Sequence, residues 1–500
     1  MLKKTSLTAT VAAIALLCAQ PLWASGDTLV VSQNTVATTL HPLALTMTPE
    51  QSIASNIYDG LVDRDHEGKL VPSLATSWSR DGNVWRFALR KGVKWHNGDS
   101  FSADDVIYTF QLAETPINRY KFINEKIAAV RKIDDYTVEI ETKRPWALLA
   151  DALYNTIIVM PRFFKDKSEA YIAENPLGTG PYKFVEWVRG SHMNLVAFED
   201  HWRGAPSIKK VSFRPINNDA TRLAGLMSGT VDLTTEVPVQ NVDTAKNNKN
   251  LTVTTRPSAL SVFFLVRTDK PELPTAKREV RLAIQHAINM DEIVKTILSG
   301  QSKPATQLPA PFFRGFNPDL KRPEYDPEKA RKLLAAAGYP DGFEITLNCT
   351  QDRYVMDKDL CLAVTQQLSK VKIKVNLVAQ TAAVHFKELR QQKYDFMLMG
   401  WNETTFDSSR FLGEFLKTKG VWNGGGVSDP KLDAMLEESD IIPDQNGRAA
   451  KLREINGYVV EQALAFPLHY PLDIYGVNNR VKGFVPNVKK ILTLRELSFQ

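Results

Sequence analysis

Three stretches carry residues with the chemistry to act on a small molecule or hold one. The first is LRKGVKWHNGDSFSADDVIYTF, Leu89–Phe110, which sets His96, Asp99, Asp104 and Asp105 around Trp95. A histidine among carboxylates is the composition of an acid/base or metal site. The second is NCTQDRYVMDKD (348–359), where Arg353 and Tyr354 lie between an apolar strand-like run and a helical stretch. A guanidinium on such a loop presents a planar fork of donors that suits a carboxylate. The third is FMLMGWNETTFD (396–407), in which Trp401 follows an apolar run that ends at Gly400 and is followed by Glu403, Thr404 and Asp407. Ligands of α/β domains bind at the carboxyl ends of strands, and a carboxylate pair such as Glu403 and Asp407 is also the equipment of a secreted hydrolase.

The elements around the first stretch argue for a structural task. Trp85, Phe87 and Leu89 alternate with Arg86, Ala88 and Arg90, which is the pattern of a half-buried strand. Lys91-Gly92 and Asn97-Gly98-Asp99 are turn signals. Ser102 has the chemistry of a helix N-cap, with Asp105 three residues on to close a capping box. Asp104 and Asp105 fall in the first turn, where the helix dipole favours negative charge. Phe101 and Val106 occupy the positions of a hydrophobic staple. The stretch therefore reads as a strand, two turns and a helix entrance, and His96 has no set of partners for catalysis.

No GxSxG, HExxH, GxxxxGK[ST] or strand-bound GxGxxG occurs, and the eight histidines are scattered with none at metal spacing. Neither a metal nor another cofactor is expected. Five hundred residues exceed one core, so two or more domains are expected. Lys3 and Lys4 precede an apolar run, Leu7–Leu17, which ends at Pro21 and Leu22-Trp23-Ala24. This is the layout of a secretory signal peptide over residues 1–24, too short to span a membrane. Leu17 stands where a lipoprotein site before Cys18 wants a small residue. The formal net charge of +6 falls to +4 once Lys3 and Lys4 leave with that segment, and the basic pairs Lys209-Lys210 and Lys489-Lys490 are isolated. Nucleic acid is not expected as a partner. Cys349 and Cys361 remain; in an oxidising compartment they are a disulfide or, failing that, two buried thiols.

Strand-like runs such as Thr28–Val31, Val262–Val266, Glu344–Leu347, Lys372–Val378 and Asp395–Met399 alternate with helical stretches. Among the helical stretches are Ala220–Ser228, Val280–Ser299, Asp326–Ala337, Asp357–Lys370 and Gly447–Gln462. Such alternation predicts α/β layers.

The stretch Leu89–Phe110 also closely resembles a signature of the extracellular solute-binding proteins of family 5, which serve ABC importers of dipeptides, oligopeptides and nickel chelates. NIYDGLVDRDHEGKLVPSLATSWSRDGNVWRFAL (56–89), PLGTGPYKFVEW (176–187), VRLAIQHAINMDEIV (280–294), YDPEKARKLLAAAGYPDGFE (325–344) and DPKLDAMLEES (429–439) resemble further blocks of that family, in order. The resemblance implies an α/β, two-lobed periplasmic binding protein fold, type II-like and of cluster C, with an extra subdomain in lobe I. Carried over, lobe I is 25–265 plus 477–500, its inserted subdomain about 58–181, and lobe II 266–476, with crossings near Leu265–Arg267 and Tyr475–Val477. The chain is then an exported, periplasmic monomer that performs no chemistry. It delivers a small-molecule ligand, a short peptide or similar amphoteric solute, to ABC permease subunits that are separate chains.

The resemblance also implies ligand-binding roles. Arg353, beside Tyr354, would hold a carboxylate and Trp401 would line the cleft. Peptide-binding members carry an aspartate three residues after that tryptophan to pair with the ligand amine, and this chain has Thr404 there, with Glu403 and Asp407 as neighbours able to substitute. Leu40-His41-Pro42 likewise stands where the family has LDP. These departures leave open a non-peptide cargo, such as a metal chelate, an opine or a sugar.

Overall fold

A computed structural model describes residues 26–500 apart from Val36, Ala113 and Tyr120, so residues 1–24, expected to be a signal peptide, and Cys18 among them lie outside the described residues. The run LSVFFLV, Leu260–Val266, explains the centre of the molecule. All but its first residue are buried, because helices cover both faces of this strand and an alternating pattern would leave polar groups in a core. Val262, Phe264 and Val266 pack on one side with Val280, Ile284, Leu360 and Phe396. Phe263 and Leu265 pack on the other with Met397, Phe411 and Phe415.

Among the described residues one sheet of twelve strands runs through the molecule. In its first half, Thr28–Gln33 pairs in parallel with Lys210–Pro215 and with Leu233–Thr234. In its second half, Phe343–Thr350 pairs in parallel with Ile373–Gln380 and Phe396–Asn402, and Leu260–Val266 runs antiparallel to Phe396–Asn402. A single strand, Phe466–Asn478, joins the halves. Phe466, Pro467 and His469 pair with Leu260–Val266, while Leu472–Asn478 pairs with Leu251–Pro257. The partners change between Pro257 and Leu260 on one side and between His469 and Leu472 on the other.

The expected strands and helices are present within a few residues of their expected ends, with one difference. The helical stretch from Val280 is two helices, Arg278–Ala287 and Met290–Thr296. Ile288 leaves the helical region, and the Asn289 side chain accepts a hydrogen bond from the Glu292 backbone N–H at 3.0 Å to start the second helix. A capping side chain satisfies donors that an unbroken helix would pair internally.

Between the first strands of the sheet lies a segment with a core of its own. Trp85, Phe87, Trp95, Phe101, Val106 and Trp146 meet there. Its antiparallel sheet is ordered Ala75–Asp81, Val84–Leu89, Thr137–Thr142 and Ile127–Asp134. Residues after the joining strand return to the first half, where Leu492, Leu494 and Leu497 pack with Leu29, Val31 and Tyr475.

Candidate functional site

The histidine and acids of Leu89–Phe110 hold the fold. The Ser102 backbone N–H donates to Asp105 at 2.8 Å and the Asp104 N–H donates to the Ser102 hydroxyl at 3.3 Å, completing the capping box. Burial pushes the Asp105 carboxyl up to about 6, against the Ser102 N–H that holds it down. Asp104 pairs with Lys132 on the surface at 2.9 Å. His96 stands 2.9 Å from the Gly180 carbonyl through Nε2 and accepts from the Gly178 N–H through Nδ1 at 3.3 Å. Burial pulls it down to about 4, so it is neutral at pH 7. It fastens the turn of PLGTGPY, where no larger residue fits. A Cβ at Gly178 would lie 2.0 Å from the Ile57 carbonyl oxygen.

Arg353 and Tyr354 follow the strand Phe343–Thr350 on a loop fixed at both ends. Cys349 and Cys361 form a disulfide across its base. The Asp357 carboxylate accepts from the backbone N–H groups of Arg353 at 3.0 Å and Tyr354 at 3.1 Å. The Gly400 N–H donates to the Tyr354 hydroxyl at 2.8 Å, which ties the loop to the strand that carries Trp401. A Cβ at Gly400 would come within 2.5 Å of the Tyr354 ring, so this approach needs glycine. Burial raises the Tyr354 hydroxyl to about 12 and keeps it a neutral hydrogen-bonding group. The Arg353 side chain is exposed, and among the described residues no carboxylate forms an ion pair with it.

Trp401 is half-buried, edge-on to Phe415 at 5.2 Å. Its Nε1 donates to Glu403 at 3.0 Å. The other oxygen of Glu403 accepts from the Thr404 and Thr405 N–H groups, each at 2.8 Å, and from Arg410 at 3.1 Å. Asp407 caps the helix Ser408–Leu416. It is fully buried against Arg448 at 2.9 Å and Arg314 at 3.0 Å. Burial alone would raise Asp407; the two guanidinium groups outweigh it and hold the carboxyl below the usual range. Both carboxylates thus already carry arginine partners, whereas a hydrolytic pair needs one acid kept protonated.

The same loop reaches the inserted segment. Asn155 donates to the Thr404 hydroxyl at 3.0 Å, and Arg64 donates to the Thr405 carbonyl at 3.0 Å. Arg314 lies 3.7 Å from Asp151, which pairs with Arg64 at 3.0 Å. The Arg410 guanidinium covers the Phe122 ring at 4.0 Å. Phe406 holds φ at 54°, a left-handed conformation that costs a large side chain about 1–3 kcal/mol and persists only where packing enforces it. Sequence reasoning named Trp401, Glu403, Thr404 and Asp407 but missed Arg64, Asp151, Asn155, Arg314, Arg410 and Arg448. Only Arg410 carried a local signal, lying seven residues after Glu403 in TTFDSSRF.

The sequence model of the bacterial extracellular solute-binding proteins, family 5 Middle, matches residues 69–423. The glutathione-binding protein GsiB of Pectobacterium atrosepticum is 30% identical over 438 residues, covering 84% of each chain. GsiB of Salmonella choleraesuis is 29% identical over 94% of this chain and 93% of its own. Among solved structures, the periplasmic binding protein DppA from Helicobacter pylori, in complex with the peptide STSA, superposes with a TM-score of 0.81 at 26% identity, covering 94% of this chain and 98% of that one. HbpA2 from Haemophilus parasuis superposes with a TM-score of 0.85 at 25% identity, over 95% of this chain and all of that one. With its two-lobed periplasmic binding protein fold and a match running through most of its length, this chain belongs to the bacterial extracellular solute-binding proteins, family 5.

Proposed function

We propose that this protein captures a short peptide or similar amphoteric solute between two lobes and presents it to the membrane permease of an ABC importer. Strand pairing supports lobes at about 25–257 with 472–500, and 260–469, the first carrying the inserted subdomain 58–181, rather than a division at 265/266 and 476/477. Their hinge lies where the Phe466–Asn478 strand changes partners. The observation that carries the reading is the hydrogen bond from Gly400 to Tyr354. It holds an exposed arginine with no carboxylate partner on a clamped loop beside an aromatic wall at the end of a strand. Arg353 takes the cargo carboxylate, Tyr354 positions it, and Trp401 packs against apolar parts of the cargo.

A peptide amine needs an anion, and Thr404 has none to offer. Of Glu403 and Asp407, Glu403 is the better candidate. Both carboxylates are fully buried, but Glu403's partner Arg410 is partly exposed, whereas Arg448 is fully buried with Asp407. The relatives named as glutathione-binding and the DppA complex with STSA support a small peptide as the class of cargo. Delivery takes place in the periplasm, after residues 1–24 are removed, and the protein acts as a monomer.

Mass spectrometry of protein purified from the periplasm tests the proposal. The expected result is an intact, stoichiometric small peptide or amphoteric solute on a chain that begins at or near Ser25, with light scattering giving one chain per particle. Glutathione and short peptides should bind the emptied protein unchanged. Breakdown of the ligand by catalytic amounts of protein would overturn it.

A further inference from the structure

A cavity lies at the joint between the first half of the sheet and the inserted segment, beside the loop that carries Trp401. Its volume is about 100 Å³, and it opens to solvent. One wall comes from the helix Thr48–Ala54 and its continuation, with Gln51 and Ser55. The opposite wall is Asp63, Tyr154 and Asn155, and the returning chain adds Lys489.

Lys489 is the feature of this cavity that the fold does not explain. Its side chain is buried, with 3% of the residue exposed. The ammonium lies 3.9 Å from the centre of the Tyr154 ring and donates to the Asn155 side-chain carbonyl at 3.4 Å, a long bond. Among the described residues no carboxylate comes within ion-pair distance of it. The nearby acids are otherwise engaged: Asp151 by Arg64, Glu403 by Arg410, and Asp63 by Arg203 at 3.6 Å. Asp59 accepts from Thr179 at 2.8 Å and Trp202 at 3.2 Å. A buried ammonium without an anion is costly. Burial, with Arg64 nearby, draws the Lys489 ammonium well below its ordinary range. Asp59 and Asp63 also line the cavity, and Asp63 and Glu403 act on Lys489 from a distance, so the ammonium has anions nearby but none in contact.

We propose that this cavity is a carboxylate-binding site in which Lys489 pairs with the anion and Asn155 and Tyr154 hold the lysine in place. The carboxylate has two sources, a second acidic group on the cargo or an independent small carboxylic acid. The first rests on the cargo reading given above; the second does not. Asn155 links the two sites, since its amide donates to Thr404 while its carbonyl faces Lys489.

Calorimetry on the full mature protein decides it with two matched pairs of probes, alanyl-glutamate against alanyl-glutamine and succinate against succinamide. If the carboxylate belongs to the cargo, wild-type protein prefers alanyl-glutamate by roughly tenfold, the scale of one charged hydrogen bond. Lys489→Met and Lys489→Gln then lose that preference, and Lys489→Arg keeps part of it. If the acid is independent, succinate binds and succinamide does not, and the same variants abolish succinate binding while leaving both dipeptides as they were. A wild-type protein that distinguishes neither pair overturns the proposal, and this arm requires no variant to fold. A preference that persists unchanged in folded Lys489→Met overturns it equally. The ligand recovered by mass spectrometry stands in either case, so the two readings fail separately.

Discussion

Asn155 donates a hydrogen bond to the Thr404 hydroxyl at 3.0 Å across 249 positions of sequence. The bond runs from the inserted segment of the first lobe to the loop that carries Trp401 in the second. The contact between Arg64 and Thr405 and the stacking of Arg410 on Phe122 cross the same boundary. Separation of the lobes would break all three. A ligand that binds this arrangement better than an open one shifts the population toward it.

Asn155→Ala removes the link without placing a charge in the interface. Affinity for the cargo is expected to fall by about 1 kcal/mol, the net value of one neutral hydrogen bond. Stopped-flow should place the change in faster release. An unchanged release rate would mean that the bond forms no part of closure.

Arg353→Gln strands the cargo carboxylate. Binding is expected to weaken by about 1.5–3 kcal/mol, the scale of a lost hydrogen bond to a charged group, with the unfolding temperature unmoved because the side chain is exposed. Calorimetry with a peptide and its C-terminal amide checks the role, since the amide should bind wild type and variant alike.

Gly400→Ala places a methyl 2.5 Å from the Tyr354 ring. The ring must move and release the Gly400 N–H, carrying the Arg353 loop with it. An affinity loss of at least about tenfold is expected, alongside a stability loss of about 1–3 kcal/mol. Pairing with Tyr354→Phe in a double-mutant cycle should show strong coupling, and additive effects would disprove the connection.

The Cys349–Cys361 disulfide has a sequence separation of 12, so its loss should cost about 3 kcal/mol. Both sulfurs are buried. Native protein should show no alkylatable thiol without reductant. Cys349→Ser with Cys361→Ser should melt lower and bind cargo more weakly, because the bridge closes the loop that bears Arg353.

His469 is buried, and burial draws its imidazole down to about 3 from an ordinary 6.5, with Arg322 adding to the effect. Between those values the unfolded chain takes up a proton that the folded chain refuses. Stability should therefore fall as pH drops from about 6.5 toward 3, by up to about 1.4 kcal/mol per pH unit from this group. Denaturant midpoints measured across that range should show a shallower slope in His469→Gln than in wild type.

The local parts of this architecture were legible in the sequence because their causes are local. Ser102 and Asp105 are three residues apart, and a capping box is complete within that distance. The strands showed themselves through unbroken apolar runs such as LSVFFLV. The same signs hid the break at Ile288, since the apolar period continues through Asn289 and covers the capping residue. The arginines around Asp407 were not legible, because Arg448 and Arg314 stand 41 and 93 positions away. Sequence shows that a carboxylate follows the tryptophan; only the tertiary fold shows what neutralises it. Lys489 read as half of an isolated basic pair for the same reason.

The strand Phe466–Asn478 sits in the middle of the sheet and supplies hydrogen bonds to both lobes. A ribosome makes it after nearly everything else. Until it emerges, Leu260–Val266 and Leu251–Pro257 each lack a neighbour, and the core around Leu29 and Val31 still awaits Leu492 and Leu494. The late strand therefore ties the two lobes to one event: neither completes its sheet until this segment has taken its place between them.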